Sequence, residues 1–164
     1  MRAFLAAAAV AAFTLGCTQS PDRAAVSERT VADEDTAAAL AGIDSLLARF
    51  AAAINRDDLA AVAATYADSS LGIGDGEIWD PAESSMEPVW KEQLPYLSDT
   101  KIDAVRRSAH GDVGGVLFKA THQVTPAKGK GEPHIDSMWA LSEVRRGADG
   151  QWRWQTWVVS GRPH

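Results

Sequence analysis

An α+β fold is predicted, with helices first and an antiparallel sheet after them. Three observations carry the prediction. Leu40, Ile43, Leu47, Phe50 and Ile54 recur at intervals of three and four residues, one face of an amphipathic helix. The last third holds four alternating runs, over 101–109, 113–125, 134–145 and 151–160, separated by Gly-, Pro- and Asp-containing turns. Those turns are too short for crossovers, so successive strands pair as an antiparallel meander, and helices followed by such a sheet mean α+β rather than α/β. With 164 residues, 46% of them hydrophobic, the chain can build one domain around one core.

The elements follow in order. Met1-Arg2 precedes an uncharged, mostly apolar run over 3–15, shorter than the roughly 20 residues that cross a bilayer as a helix. A basic start, a short apolar stretch and small residues read as a secretory signal. The run ends in Thr14-Leu15-Gly16-Cys17, which resembles a bacterial lipobox, with Thr14 where Leu is commonest. The resemblance implies lipidation of Cys17, which would become the mature N-terminus. The alternative is an ordinary secreted protein whose Cys17 leaves with the signal. Residues 1–16 are read as a lipoprotein signal peptide, 17–36 as a flexible tether and 37–164 as the domain. The tether is polar and charged, with too little apolar surface to pack, although a helical extension from near Ala24 is an alternative for its second half.

Asp35 or Thr36 is expected to cap the first helix, and Asn55-Arg56 to end it. Asp57 or Asp58 then caps a shorter helix that turns Leu59, Val62, Ala63 and Tyr66 inward. A short strand around 71–73 precedes Gly74 and Gly76, and a third helix carries Met86, Val89, Trp90 and Leu94. Pro88 fits only its first turn, which sets the start near Glu87. In the last strand Trp152, Trp154 and Val158 fall on one side and Trp157 and Val159 on the other. Both faces are bulky, so both are expected to be covered, the outer one by a second subunit or by the chain's own tail or helix.

Composition removes several functions. Sixteen Lys and Arg against 22 Asp and Glu give a net charge of −6, which disfavours nucleic-acid binding. One cysteine excludes an intramolecular disulfide and any multi-cysteine metal site. Once lipidated, Cys17 leaves the folded domain without a thiol nucleophile. His134 and Asp136 share a strand face two residues apart, half of a metal site with no second histidine in place, so no metal and no other cofactor is expected.

Asn55-Arg56-Asp57-Asp58-Leu59 and Tyr66-Ala67-Asp68-Ser69-Ser70, with the ending Arg145 to Trp154, resemble motifs of the nuclear-transport-factor-2-like superfamily, in its SnoaL-like and ketosteroid-isomerase-like bacterial branch. The resemblance spans about 37–160. It implies a cone-shaped α+β barrel in which N-terminal helices pack on a curved antiparallel sheet around an apolar pocket, in a protein that is commonly dimeric. Some relatives are isomerases, dehydratases or hydrolases and many are not enzymes, so the fold does not decide. The isomerase's oxyanion tyrosine falls on Phe50, which has no hydroxyl, and its base falls on Gly74, next to Asp75. The acid/base candidates are Asp75, His122 and Asp136. His122 shares an apolar strand face with Val116, Phe118 and Ala120. Phe50, Tyr66, Trp90, Trp139 and Trp154 are the candidates for contact with a flat or apolar ligand.

The expectation is therefore a homodimeric, lipid-anchored cell-envelope protein facing the periplasm or exterior. It would bind a small apolar or aromatic molecule in an accessory role, with an acid/base enzyme or a protein-interaction module as alternatives.

Overall fold

The computed structural model describes residues 22–74, 77–79, 86–127 and 130–160. Cys17 and Asp75 lie outside the described residues. Helix α1 (Asp22–Asn55) begins well before the expected cap at Asp35 or Thr36, so the stretch read as a tether is helical from Asp22 onward. The reason is cooperativity. Extending an existing helix costs far less than nucleating one, and the Ala-rich middle supplies the nucleus. Ala39, Ile43, Leu46, Leu47, Phe50, Ala53 and Ile54 are buried along one side. The part of α1 over 34–55 is apolar enough to cross a membrane by composition, with mean hydropathy 1.6, but this inward stripe makes it the core helix of the domain.

Asp57 ends the helical run at φ 52°, a left-handed conformation that aspartate tolerates better than most residues. Asp58 caps α2 (Leu59–Ala63), its Oδ1 accepting the Ala61 N–H at 2.9 Å. Tyr66 does not continue that helix. It opens β1 (Tyr66–Gly74), which is longer than the three-residue strand the sequence suggests. Thr65 Oγ1 donates to the Val62 carbonyl at 2.6 Å and closes the helix end. The Thr65 carbonyl then accepts the Trp154 N–H at 2.9 Å, which draws the chain onto the last strand.

The hairpin partner β2 (Glu77–Trp79) precedes α3 (Met86–Gln93), and Pro88 does sit in the first turn of α3. Pro95 stops that helix, so Leu94 belongs to a 3₁₀ turn (Leu94–Tyr96) instead. Strands β3 (Leu97–His110), β4 (Val113–Val124), β5 (His134–Arg146) and β6 (Trp152–Ser160) form the expected meander. The full sheet has six strands in the order β2-β1-β6-β5-β4-β3 and is mixed rather than purely antiparallel, because β1 runs parallel to β6. It curves around α1, and the architecture is the cone-shaped α+β arrangement.

One irregularity places the site. Glu143 pairs with Thr156 and Val144 with Trp154, so Gln155 is an extra residue in β6. The bulge resets the alternation. Trp157 turns inward beside Trp152 and Trp154, and Val158 turns outward, correcting the two-sided distribution read from sequence.

Candidate functional site

Two groups of side chains occupy the concave wall of the sheet. The first is aromatic. Phe50 of α1 stands at its centre, edge-on to Trp90 at 5.3 Å, Trp154 at 5.6 Å, Tyr66 at 6.1 Å and Trp157 at 6.3 Å. Trp157 stacks on both Tyr66 and Trp90 at 5.8 Å, and Trp154 packs on Phe118 at 5.5 Å. Edge-on and offset contacts of this kind add to the burial of large rings. Trp90 Nε1 donates to the Tyr66 hydroxyl at 3.0 Å. Burial pushes the Tyr66 phenol well above its ordinary value, the Trp90 hydrogen bond opposing only part of that, so Tyr66 is a neutral hydroxyl.

Four of the ligand-contact candidates, Phe50, Tyr66, Trp90 and Trp154, are thus brought together. Trp139 is not. It lies on the outer face of the sheet, 45% exposed, because β5 alternates and its inward positions are Asp136, Met138, Ala140, Ser142 and Val144. Trp157 was missed as a member of the cluster, since nothing in the sequence marks the bulge that turns it in.

A cavity of about 140 Å³ opens against this cluster, between the start of β1 and the start of α3. Tyr66, Met86, Ser70, Ala63, Asp68 and Glu87 line it. Larger depressions lie on the outside of the molecule. One of these, about 700 Å³, sits on the outer sheet face around Val113, Leu141 and Val158.

The second group is polar. His122 of β4 and Asp136 of β5 are direct cross-strand partners on the concave face. His122 Nδ1 and Thr100 Oγ1 are hydrogen-bonded at 2.9 Å. Asn55, at the end of α1, clamps the Thr100 backbone, its Oδ1 accepting from the Thr100 N–H at 2.6 Å and its Nδ2 donating to the Thr100 carbonyl at 3.0 Å. Burial lowers the His122 pKa, and the Asp136 charge pulls the other way but less strongly. Asp136 Oδ1 accepts the Ser137 N–H at 2.6 Å, while its buried Oδ2 has no partner among the described residues. The sequence candidates His122 and Asp136 are therefore adjacent, and Thr100 and Asn55, which position the imidazole, were not foreseen. Among the described residues no group of three or more His, Cys, Asp or Glu is placed to hold a metal ion.

No protein-family model matches the sequence, and no curated protein does. Solved structures do. A ketosteroid isomerase-like protein from Erwinia carotovora atroseptica SCRI1043 superposes with TM-score 0.61 at 23% identity, over 74% of this chain and 94% of that one. The fold is that of nuclear-transport-factor-2-like proteins. An NTF-2-like protein from Shewanella oneidensis MR-1 gives TM-score 0.59 at 17% identity, over 74% and 98%. A conserved protein from Planctomyces limnophilus DSM 3776 gives 0.62 at 15%, over 75% and 97%. At these identities the nuclear-transport-factor-2-like likeness is one of fold, and function must be argued from the site.

Proposed function

We propose that this protein binds a small apolar or aromatic molecule, in an accessory role, in the cavity beside Tyr66. The observation that carries the reading is a cavity of about 140 Å³ set directly against a buried aromatic cluster. A cavity of roughly 150 Å³ has room for benzene, so the space suits a single ring. Tyr66 and Met86 supply apolar wall, and Ser70, Asp68 and Glu87 supply polar contacts. The test is native mass spectrometry of the full chain, with tryptophan emission followed during titration with toluene and phenol. A one-to-one adduct with an emission change supports the reading, and Met86→Trp, which fills the cavity, should abolish both. Silence across the panel from the unaltered chain overturns it.

The lipobox ending in Cys17 supports lipid anchoring in the cell envelope, facing the periplasm or exterior. Intact mass should show a mature chain starting at Cys17 and carrying diacylglycerol and an acyl chain. Cys17→Ala should move the protein to the soluble fraction. A mature N-terminus elsewhere overturns the anchor.

Homodimerisation through the outer sheet face is supported by Ile135, Leu141 and Trp139, which are 73%, 58% and 45% exposed on one strand. Light scattering on the native protein should give twice the chain mass, falling to one with Trp139→Arg.

A second reading is favoured by the His122–Asp136 pair. An imidazole fixed by Thr100 beside a carboxylate oxygen free to accept is an acid/base arrangement of the isomerase, dehydratase or hydrolase type. Slow turnover of ketone or epoxide probes that disappears in both His122→Gln and Asp136→Asn would select it. Asp75→Asn tests the third candidate.

A further inference from the structure

The cavity beside Tyr66 is not wholly apolar. Tyr66, Asp68 and Ser70 are alternate residues of β1, and all three line it, together with Met86 and Glu87 from the start of α3. Ser70 is 5% exposed, and no hydrogen bond ties its hydroxyl to another described residue. Buried hydroxyls nearly always have a partner, so this one is left for whatever enters the cavity.

The two acids are exposed and stand at the rim of the cavity. No Lys, Arg or His is among the described residues that line it. Among the described residues, neither Asp68 nor Glu87 is within ion-pair distance of a cation. Asp68 also borders a neighbouring depression with Arg145, Arg146 and Arg153. Each of those guanidiniums is held by an acid of its own. Arg145 is bound by Glu143 at 3.2 Å, Arg146 by Asp112 at 2.6 Å, and Arg153 by both oxygens of Asp149 at 2.9 and 2.5 Å. Arg153 feels the Asp68 charge only at longer range. The Tyr66 hydroxyl is engaged by Trp90. The rim thus carries two negative charges without a paired cation.

We infer that the ligand is a small aromatic amine bound as its ammonium, the ring against Tyr66 and Met86 and the ammonium held by Asp68, Glu87 and the Ser70 hydroxyl. The inference rests on the ligand-binding reading above and names its ligand class. All of these residues line one cavity of about 140 Å³, so a single-ring molecule reaches them together. An ammonium brings three donors and no acceptor, which suits two carboxylates and a hydroxyl. A ligand carboxylate would meet two charges of its own sign, and a hydrocarbon would leave Ser70 unpaired. A divalent cation takes about six or more oxygen ligands, and among the described residues no group of three or more His, Cys, Asp or Glu is placed to hold one.

The test compares benzylamine, an ammonium at pH 7, with benzyl alcohol, its neutral isostere, by calorimetry on the full chain. The amine should bind about fivefold more tightly, the scale of two exposed ion pairs, and the preference should shrink as salt is raised. In the unaltered chain the amine should shift the Met86 methyl resonance and leave that of Met138 on β5 in place. Asp68→Asn and Glu87→Gln should each lower the preference to about twofold. Glu87 also suits the positive end of α3, so the readout is the ratio of the two affinities within each variant and not its stability. Asp44→Asn removes the same charge from a residue that does not line the cavity, and should leave the ratio unchanged.

Failure of both compounds to bind overturns the ligand-binding reading itself. Equal binding of amine and alcohol overturns only the amine inference. So does a preference that survives both cavity variants, or one that Asp44→Asn lowers as much, since the net charge of the chain and not this rim would then attract the amine. A shift at Met138 alone would put the ring elsewhere and overturn it as well. The Met86 shift and the salt dependence are read in the unaltered chain, so the inference does not depend on either variant folding.

Discussion

On strand β5, Ala140, Ser142 and Val144 point into the cone and are at most 3% exposed, whereas Trp139, Leu141 and Ile135 on the other face are 45–73% exposed. The two faces come from one alternating stretch of chain and differ only in what covers them. Inside, α1 lays Ile43, Leu46 and Phe50 against the sheet, and burial of that surface drives folding. Outside, no described element of the chain lies over the apolar residues. A strand pattern thus says that two faces differ in phase, and not which neighbour each will have. The concave face is covered by folding, and the outer face stays exposed in the single chain.

The largest effect expected from probing this contrast is at the centre of the inner face. Phe50→Ala removes the ring on which Tyr66, Trp90, Trp154 and Trp157 converge and should cost roughly 3–5 kcal/mol in urea unfolding, with loss of near-ultraviolet circular dichroism. A loss under 1 kcal/mol would mean that the cone is not closed around this residue.

Next comes the fit of α1 to the sheet. A Cβ on Gly42 would run into the Trp152 ring, so Gly42→Ala should cost about 1–3 kcal/mol although alanine is the better helix former. A gain in stability would show that Trp152 swings aside freely.

The polar end of the inner face predicts a pH dependence. Burial holds the His122 pKa below its unfolded value of about 6.5, so the unfolded chain takes up the proton first. Stability from this residue is complete above that value and falls as the pH drops through it, with a slope of at most about 1.4 kcal/mol per pH unit. His122→Gln should flatten the curve between about pH 5 and 7. An unchanged slope would place the titration elsewhere.

The smallest effect belongs to the outer face. Trp139→Ser should change the unfolding free energy of the isolated subunit by no more than about 0.5 kcal/mol. A loss comparable to that of Phe50→Ala would mean that this ring is held within the subunit.

Much of the architecture was legible beforehand. The four meander strands and the core stripe of α1 follow from local periodicity, which the chain expresses over neighbouring residues. The Asp58 cap is equally local, being one side chain and a backbone group three residues on. The early start of α1 and the fate of Tyr66 were not legible. The first depends on helix propagation and the second on a parallel partner that lies more than 80 residues away in sequence.

The same division runs through the site. Residue types and strand parity put His122 on the apolar face of its strand and marked Asp136 as a further acid/base candidate, and chemistry alone marked Phe50, Tyr66, Trp90, Trp139 and Trp154 as rings for contact with a ligand. These are readable from the chain because alternation and apolar spacing are properties of adjacent residues. The bulge at Gln155, the entry of Trp157 into the cluster while Trp139 faces out, and the clamp of Asn55 on Thr100 beside His122 come from packing instead. Each of these depends on which strand lies next to which, and that is settled by packing a whole sheet around one helix.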